Sequence, residues 1–423
     1  MRVGFDLWTQ DQAGLIGDND PRFALFGNFG DFDVMAAAVL ELTGQRLGLT
    51  NDNDLWYYTF SAGYHLRAHR FQLDVTYFRD RFNGAETNGF LGGPLFRGQK
   101  TDSVLVMGSW GGSIGLVRAL VQGNLMLGHA TGANAAGLAL TGLTGAVPAG
   151  KHYDIFAGSV VAYGEVDLGI VRPFLMFLWA AADGDPTDHK LHGFNPYPYH
   201  TTGTMTGTSW FAHLDTSNAV STRDYSCPAR FQGLSAGGGA PGIPGRTATG
   251  AAINPVNVGT AAINAGPGFT ECSHTVTSPF NDELGSGQLG IFTALANPGT
   301  LLIPVGLRAF PLRAHEVTGW YLYRAMVDTT SLEVAFAPEL AARNMQGIRT
   351  AEYHEIGGYW LWSLNPNFDI RLAGNIAIAG GGYCDLAHLA NCSPGGTGPY
   401  VTSPACSGKD PALYGEARFR ARF

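Results

Sequence analysis

The sequence is poor in charge and contains no long apolar run. Only 14% of its 423 residues are charged, whereas soluble globular proteins carry about 25%. The longest apolar stretches, such as residues 171–182, are interrupted by residues such as Arg172 and Pro173, and a membrane-spanning helix needs about 20 consecutive apolar residues. Such a chain is expected to be either a large soluble β-protein or a transmembrane β-barrel.

Positive charge is scarce as well. The chain has 26 Lys and Arg residues against 34 Asp and Glu residues, which gives a formal net charge of -8. Proteins that bind nucleic acids neutralise phosphates with clustered Lys and Arg side chains. Because the sequence has no such basic stripe, we expect no nucleic-acid partner.

Cysteine is rare and confined to two Gly/Pro-rich segments. The five cysteines are Cys227, Cys272, Cys384, Cys392 and Cys406. This placement favours loop disulfides in an oxidising compartment, with Cys227–Cys272 and Cys384–Cys392 as the candidate pairs and one cysteine left over. A zinc site is the alternative, but the sequence contains no CxxC pair.

A secretory leader is also missing from the sequence. Strand-like Arg2–Thr9 follows Met1 directly, without the charged and apolar regions of a signal peptide. An outer-membrane protein must first cross the inner membrane. We therefore expect further residues to precede Met1, which would raise the strand number to about 16–18.

The dominant pattern is period-two alternation in segments of about ten residues, the length of a tilted strand that crosses a bilayer. The pattern predicts 14 strands. They cover residues 2–10, 22–29, 32–42, 54–66, 69–79, 102–111, 114–126, 151–163, 165–180, 317–327, 331–339, 351–363, 366–379 and 412–423.

The connections between these segments alternate between short and long. Outer-membrane barrels have short periplasmic turns and longer extracellular loops, whereas a soluble sandwich has no reason to sort its loops in this way. The sequence therefore predicts one all-β domain over residues 1–423, a transmembrane antiparallel up-and-down β-barrel with at least 14 strands and periplasmic termini. Its largest predicted loops are the extracellular or mouth-folding segment 183–316 and the Cys-containing segment 380–411.

The last segment alternates up to its final residue, Phe423. An alternating strand that ends in Phe resembles the C-terminal signal of bacterial outer-membrane proteins, which the barrel assembly machinery reads. The alternative is an amphipathic edge strand of a soluble sheet. Together with the alternating connections, the terminal Phe favours an integral protein of a Gram-negative outer membrane, in contact with membrane lipid and lipopolysaccharide.

Charged residues occupy one face of the predicted strands. An Arg or Lys that faces lipid near the membrane midplane costs about 2–4 kcal/mol, so we expect this face to line a wet lumen. The candidate pore-lining residues are Arg2, Asp6, Arg70, Gln72, Asp74, Arg118, Glu333, Asp369, Arg371, Glu416, Arg418, Arg420 and Arg422. Guanidinium groups bind carboxylates and phosphates; the alternative is a salt-bridged wall that only braces the barrel.

Evidence for catalysis is weak. Gly233–Gly237 matches GxSxG, but no strand or helix pattern flanks it as a hydrolase requires, so chance composition explains the match and we expect no enzymatic activity. Asp183, Asp185 and Asp188 offer oxygen ligands for a structural Ca²⁺ ion; a solvated turn is the alternative. No other cofactor is expected.

The arginine-bearing face, the long predicted loops, the Asp183–Pro186 strand exit and the terminal Phe together resemble the alginate-export type of outer-membrane porin. The resemblance covers the barrel architecture of most of the chain. It implies a monomeric barrel whose basic lumen passes an anionic polysaccharide.

We therefore expect a passive channel for polar solutes, anionic solutes and oligosaccharides included. One alternative is a surface adhesin or scaffold in which the barrel anchors segment 183–316. Another is a transporter of hydrophobic compounds, which requires an apolar lumen; the Arg, Asp and Gln rows speak against it.

Overall fold

The computed structural model describes most of the predicted barrel. The described residues are 2–4, 8–9, 17–18, 22–41, 55–81, 100–131, 152–185, 187–194, 298–335, 337–342, 344–365, 367–382, 385 and 412–421. Over these ranges the chain forms 17 β-strands and two helices of six residues each. No helix in this part of the chain is long and apolar enough to span a membrane.

The strands follow one another with few helical insertions. They are β1 Arg2–Gly4, β2 Trp8–Thr9, β3 Gly17–Asp18, β4 Arg22–Phe29, β5 Phe32–Glu41, β6 Leu55–Leu66, β7 His69–Arg81, β8 Lys100–Ile114, β9 Val117–Thr131, β10 His152–Val166, β11 Val171–Ala180, β12 Lys190–Leu191, β13 Thr300–Leu312, β14 His315–Ala325, β15 Ala351–Asn365, β16 Phe368–Ala379 and β17 Ala412–Ala421. The helices are α1 Thr330–Ala335 and α2 Ala337–Ala342.

Fourteen of these strands form one continuous antiparallel sheet. Its order is β1-β4-β5-β6-β7-β8-β9-β10-β11-β13-β14-β15-β16-β17, so that each strand after β4 pairs with its predecessor on this path. Only β12 lies off the path, where it pairs in parallel with β10, and β2 and β3 form a separate pair. This is the predicted up-and-down topology.

The two faces of the sheet differ in exposure. Along β10 the side chains of Ile155, Ala157 and Ser159 are buried, whereas the alternating Phe156 and Val160 are exposed. An open, flat sheet would expose both faces to the same extent. The sheet therefore curves around one enclosed face, as in a barrel, and the chain has the predicted all-β barrel fold.

The outer face carries a broad apolar surface. Phe60, Leu175 and Ile356 are 48%, 54% and 56% exposed, and they belong to a band that runs across the sheet. Soluble monomers rarely expose contiguous apolar patches larger than a few hundred Å². Since β8, β9 and β10 have 15 residues each and a transmembrane strand needs about 9–11, the strands are long enough to span a hydrocarbon layer.

Short turns lie at one end of the sheet and long connections at the other. The turn at residues 30–31 uses Gly30 and that at 115–116 uses Gly115, with φ angles of 69° and 60°. A two-residue hairpin turn requires such left-handed angles, which glycine adopts without steric cost. We call the end of the sheet that carries the short turns the short-turn end, and the opposite end the long-connection end.

One strand was missed because it lies inside the predicted segment 183–316. Strand β13 pairs with β11 and β14, and the turn after it joins β13 to β14 through residues 313–314. Pro304, Gly306 and Pro311 make its sequence resemble a loop. The prediction that residues 183–316 form one loop is therefore wrong at its C-terminal end, whereas residues 195–297 lie outside the described ranges.

One predicted strand, residues 331–339, is wrong. The segment contains α1 and the start of α2. The Asp328 side chain accepts a hydrogen bond from the Thr330 N–H at 2.8 Å, as a helix N-cap does, and Leu332 and Leu340 are buried. The alternating apolar residues were thus mistaken for a strand.

Glu333 consequently does not lie on a barrel strand. It belongs to α1, and its Oε1 atom accepts hydrogen bonds from the Ile348 N–H at 2.9 Å and from the Thr329 hydroxyl at 3.1 Å. Its role is to connect α1 to the segment before β15. The predicted strand position of Glu333 is therefore wrong, whereas its place beside a pore stays a prediction.

Candidate functional site: an arginine–carboxylate network

A group of charged side chains lies on the enclosed face at the short-turn end of β9, β10, β11, β13 and β14. We call it the arginine–carboxylate network; it comprises Arg118, Glu165, Asp167, Arg172, Arg308 and Glu316. The register brings these residues together, because Arg118 lies opposite Glu165 and Arg172 lies opposite Arg308. Three arginines and three carboxylates thus meet across five strands.

Glu165 and Arg308 form the centre of the network. The two carboxylate oxygens of Glu165 lie 3.5 Å from Arg118 Nη1 and 3.5 Å from Arg308 Nη1. Arg308 Nε lies 3.2 Å from Glu316 Oε1. The side chains of Glu165 and Arg308 are only 4% and 11% exposed, and charges buried to this extent require a partner of opposite sign.

Aromatic residues fix the orientation of the charged groups. Tyr163 donates a hydrogen bond to Glu165 at 2.8 Å, and the Tyr359 hydroxyl donates one to Glu316. The guanidinium of Arg371, on β16, lies 4.7 Å from the centre of the Tyr359 ring, a cation–π distance. Arg371 is thereby joined to the network through Tyr359.

The network becomes more exposed towards the turn between β10 and β11. Arg172 Nη2 lies 3.0 Å from the Asp167 carboxylate, and the Arg118 side chain is 51% exposed. The Gly169 N–H, and then Arg172, hold the pKa of Asp167 below its ordinary value. Asp167 therefore stays ionised at neutral pH and neutralises part of the positive charge.

Among the described residues, two buried guanidinium nitrogens of the network have neither a hydrogen-bond partner nor an ion-pair partner. Arg308 Nη2 and Arg172 Nε are buried without a hydrogen-bond partner, and the two residues face each other across β11 and β13. Guanidinium groups present a fork of donors that matches carboxylates and phosphates. The network is thus suited to interact with anionic groups.

Further polar residues continue along the enclosed face of β6 to β10. Gln72 donates to both Asp74 oxygens at 2.8 and 2.9 Å, and Asn124 donates to Ser159 at 2.8 Å. Gln72 and Asp74 are buried. Arg70, at the short-turn end of β7, lies 3.2 Å from Asp33.

Beyond this polar belt, towards the long-connection end, the enclosed face becomes apolar. Phe78, Leu105, Met126, Ile155 and Leu322 are all 5% exposed or less. The first four lie on the adjacent strands β7 to β10, and Leu322 lies on β14. On β7 to β10 the enclosed face therefore changes from charged to largely apolar along its length, whereas β14 and β15 carry the buried Arg324 and Glu355 towards the same end.

Most of the remaining predicted pore-lining residues lie on β1, β16 and β17, at the two ends of the strand order. Asp369 and Arg371 lie on β16, and Arg418 on β17 stands directly opposite Arg371. Glu416 and Arg420 share β17, and Arg2 belongs to β1. Asp6 and Arg422 lie outside the described residues. That any of these residues lines a conducting pore stays a prediction.

Sequence reasoning missed Glu165, Arg172, Arg308 and Glu316. Arg308 was missed because β13 was taken for a loop. A signal for β13 is present in the sequence: the tetrapeptide Leu-Arg-Ala-His occurs at residues 66–69 and again at 312–315. In both places a strand ends at the Leu and the next begins at the His.

The structure tests neither the predicted disulfides nor the predicted Ca²⁺ site. All five cysteines lie outside the described residues, so the disulfides stay predictions. In the described ranges, no three His, Cys, Asp or Glu side chains are grouped in a way that could hold a metal ion. Asp185 and Asp188 accept hydrogen bonds from the Thr187 and Lys190 N–H groups at 3.0 and 2.8 Å.

Comparison with known proteins identifies no family. No family model and no curated protein matches the sequence, so membership of the alginate-export type stays an expectation. Among solved structures, OccK5 (OpdH) of Pseudomonas aeruginosa is similar at 10% identity, with a TM-score of 0.34 and coverage of 88% of this chain and 69% of that one. The FrpB iron transporter of Neisseria meningitidis matches at 11% identity and a TM-score of 0.39, with coverage of 88% and 46%.

The CymD monoaromatic hydrocarbon channel matches at 8% identity and a TM-score of 0.29, with coverage of 89% of this chain and 81% of that one. The chain thus spans less than half the length of FrpB and most of the length of CymD.

Proposed function

We propose that this chain is an integral outer-membrane channel that lets polar solutes, including anionic solutes and oligosaccharides, pass by diffusion. The proposal involves no enzymatic step. It places both termini in the periplasm, lipid and lipopolysaccharide against the apolar outer face, and the barrel assembly machinery in the insertion of the chain.

The observation that carries the proposal is the arginine–carboxylate network inside a barrel with an apolar exterior. Burying charged groups is unfavourable unless they are paired or reach water. A barrel that served only as an anchor could fill its interior with apolar side chains. Arg118 is instead half exposed on the enclosed face, which supports an aqueous path to the network from the short-turn end.

Planar-bilayer recording tests the channel and its charge preference. Arg118→Gln removes one positive charge beside this path and should shift the reversal potential in a salt gradient towards cations, because fixed positive charge concentrates anions. The shift should shrink near 1 M salt, where the screening length is about 3 Å. Lys190→Gln is the matched control: it removes the same charge at the exposed start of β12 and should leave selectivity unchanged.

A folded barrel that carries no current would contradict the channel and favour the anchor for a surface adhesin or scaffold. An unchanged reversal potential in Arg118→Gln would mean that the network only braces the wall.

A second candidate function is the transport of hydrophobic compounds, and the apolar part of the enclosed face favours it. Leu105, Met126 and Ile155 form this part with their neighbours, and hydrophobic ligands bind in apolar surroundings. Uptake by cells that lack other outer-membrane channels separates the two candidates. We expect uptake of a labelled polar solute; uptake of a labelled monoaromatic hydrocarbon alone would favour the second candidate.

A further inference from the structure

Asp183 is a buried carboxylate without a counter-ion in its described surroundings. It lies three residues after the end of β11, and its side chain is fully buried. One oxygen, Oδ1, accepts a long hydrogen bond of 3.4 Å from the Asp185 N–H. The other, Oδ2, is buried without a hydrogen-bond partner. A carboxylate in this position must be neutralised, either by a proton or by a cation.

The charged groups that act on Asp183 are acidic. They are Asp188, Asp185 and Asp328. Burial raises the pKa of Asp183 to about 8, against the lowering effect of the Asp185 N–H, and the three carboxylates raise it as well. The acidic neighbours therefore favour a positive charge beside Asp183, either a proton or a bound cation.

Asp328 approaches Asp183 from a different connection. It lies three residues after β14, and its Oδ2 atom is 3.2 Å from the place where a Cβ atom on Gly184 would lie. Its backbone is fixed, because the Val327 and Asp328 N–H groups both donate to the Pro298 carbonyl, at 2.8 and 3.0 Å. Asp328 Oδ1 is held by the Thr330 N–H, so that Oδ2 is the oxygen next to the 183–185 turn.

We propose that Asp183 and Asp328 hold a divalent cation of the Ca²⁺ type that ties the connection after β11 to the connection after β14. Ca²⁺ takes oxygen ligands from carboxylates, backbone carbonyls and water, so two carboxylates suffice as its charged ligands. Asp185 and Asp188 add negative potential nearby. The ion clamps two chain segments together over the start of β13, at the long-connection end.

Calorimetric titration of the full chain in detergent micelles with Ca²⁺, after removal of metal by EDTA, tests the proposal. We expect one saturable binding event at pH 7.5 and a Tm that rises with Ca²⁺ concentration, because a ligand that binds only the folded state stabilises it. Asp328→Asn should weaken binding at least tenfold and Asp183→Asn should abolish it. Asp154→Asn, which removes an exposed carboxylate on the outer face of β10, should bind as the unmodified chain does.

Two results would overturn the proposal. One is the absence of saturable Ca²⁺ binding by the unmodified chain, together with stability that falls as pH rises from about 4 towards 8; a proton would then neutralise Asp183. The other is binding that survives in Asp328→Asn, which would place the ion elsewhere. Because Asp328→Asn keeps the Asp183 side chain, the test does not depend on whether Asp183→Asn folds.

Discussion

Different kinds of side chain fill the two ends of the enclosed face. At the short-turn end, arginines, carboxylates and tyrosines interlock, and some remain exposed, such as Arg118 at 51%. Towards the long-connection end of β7 to β10, most enclosed side chains are apolar and buried, as Phe78 and Leu105 show at 0% exposure. The first end depends on the pairing of charges and the second on close packing.

This difference predicts which substitutions each end tolerates. In a charged network, removal of one partner leaves another charge buried and unpaired, and this costs more than the pair contributes. In an apolar layer, a smaller side chain costs its lost burial plus the cavity that it leaves. The charged end should therefore be sensitive to the loss of charge, and the apolar end to the loss of volume.

The largest effect should come from Arg308→Ala. Arg308 contacts both Glu165 and Glu316. Its loss leaves Glu165, which is 4% exposed, with the hydrogen bond from Tyr163 and with the long contact to Arg118 as its remaining ion pair among the described residues. We expect the free energy of unfolding to fall by about 3–5 kcal/mol, measured by urea unfolding in micelles. Arg313→Ala, at an exposed turn position, should change it by less than about 0.5 kcal/mol. Equal losses in both variants would contradict the charged-end account.

Leu105→Ala should have the next largest effect. Leu105 is fully buried in the apolar part of the enclosed face, and truncation of a buried leucine costs about 2–5 kcal/mol. The control is Leu116→Ala, because Leu116 lies in a turn and is 61% exposed. If the two variants unfold at the same urea concentration, the apolar end is not close-packed.

The sequence predicts the outer face of the barrel better than the enclosed face. On the outer face, exposed apolar residues recur at every second position along much of each strand, so a period of two suffices to locate β7, β10 or β15. The enclosed face obeys no single rule, since charged and apolar side chains are both buried on it. Strand β13 shows the consequence: its prolines suggested a loop, although Pro304 pairs with Leu322 inside the sheet.

Among the described residues, the number of strands on the sheet path equals the predicted minimum of 14 because two errors cancel. One strand was missed at β13 and one was predicted in error over α1 and α2, so the total of 14 on the sheet path is unchanged. Because the two errors cancel, the predicted alternation of short and long connections is also kept after β15. The arginine–carboxylate network was not predicted, however. Its central contacts come from Arg308, on the missed strand β13, and from Glu316, just outside the predicted strand 317–327.

The smallest effect should come from Asp167→Asn, at the exposed edge of the arginine–carboxylate network. The Gly169 N–H and Arg172 hold the pKa of Asp167 below its ordinary value in the folded state. A carboxyl group with a lowered pKa stabilises the fold above its unfolded pKa, about 3.9, and this contribution is lost as pH falls through the folded pKa. The unmodified chain should therefore lose more of its Tm than Asp167→Asn when pH is lowered from 5 to about 2.

The control for this prediction lies at the other end of the barrel. Asp154→Asn removes a carboxylate that is paired only with His152 on the exposed outer face, and its Tm should fall with acid as much as that of the unmodified chain. A parallel acid response in all three chains would mean that the Asp167–Arg172 contact of 3.0 Å contributes nothing measurable. The charged end would then depend on Glu165 and Glu316 alone, because these two carboxylates are the ones that contact Arg308.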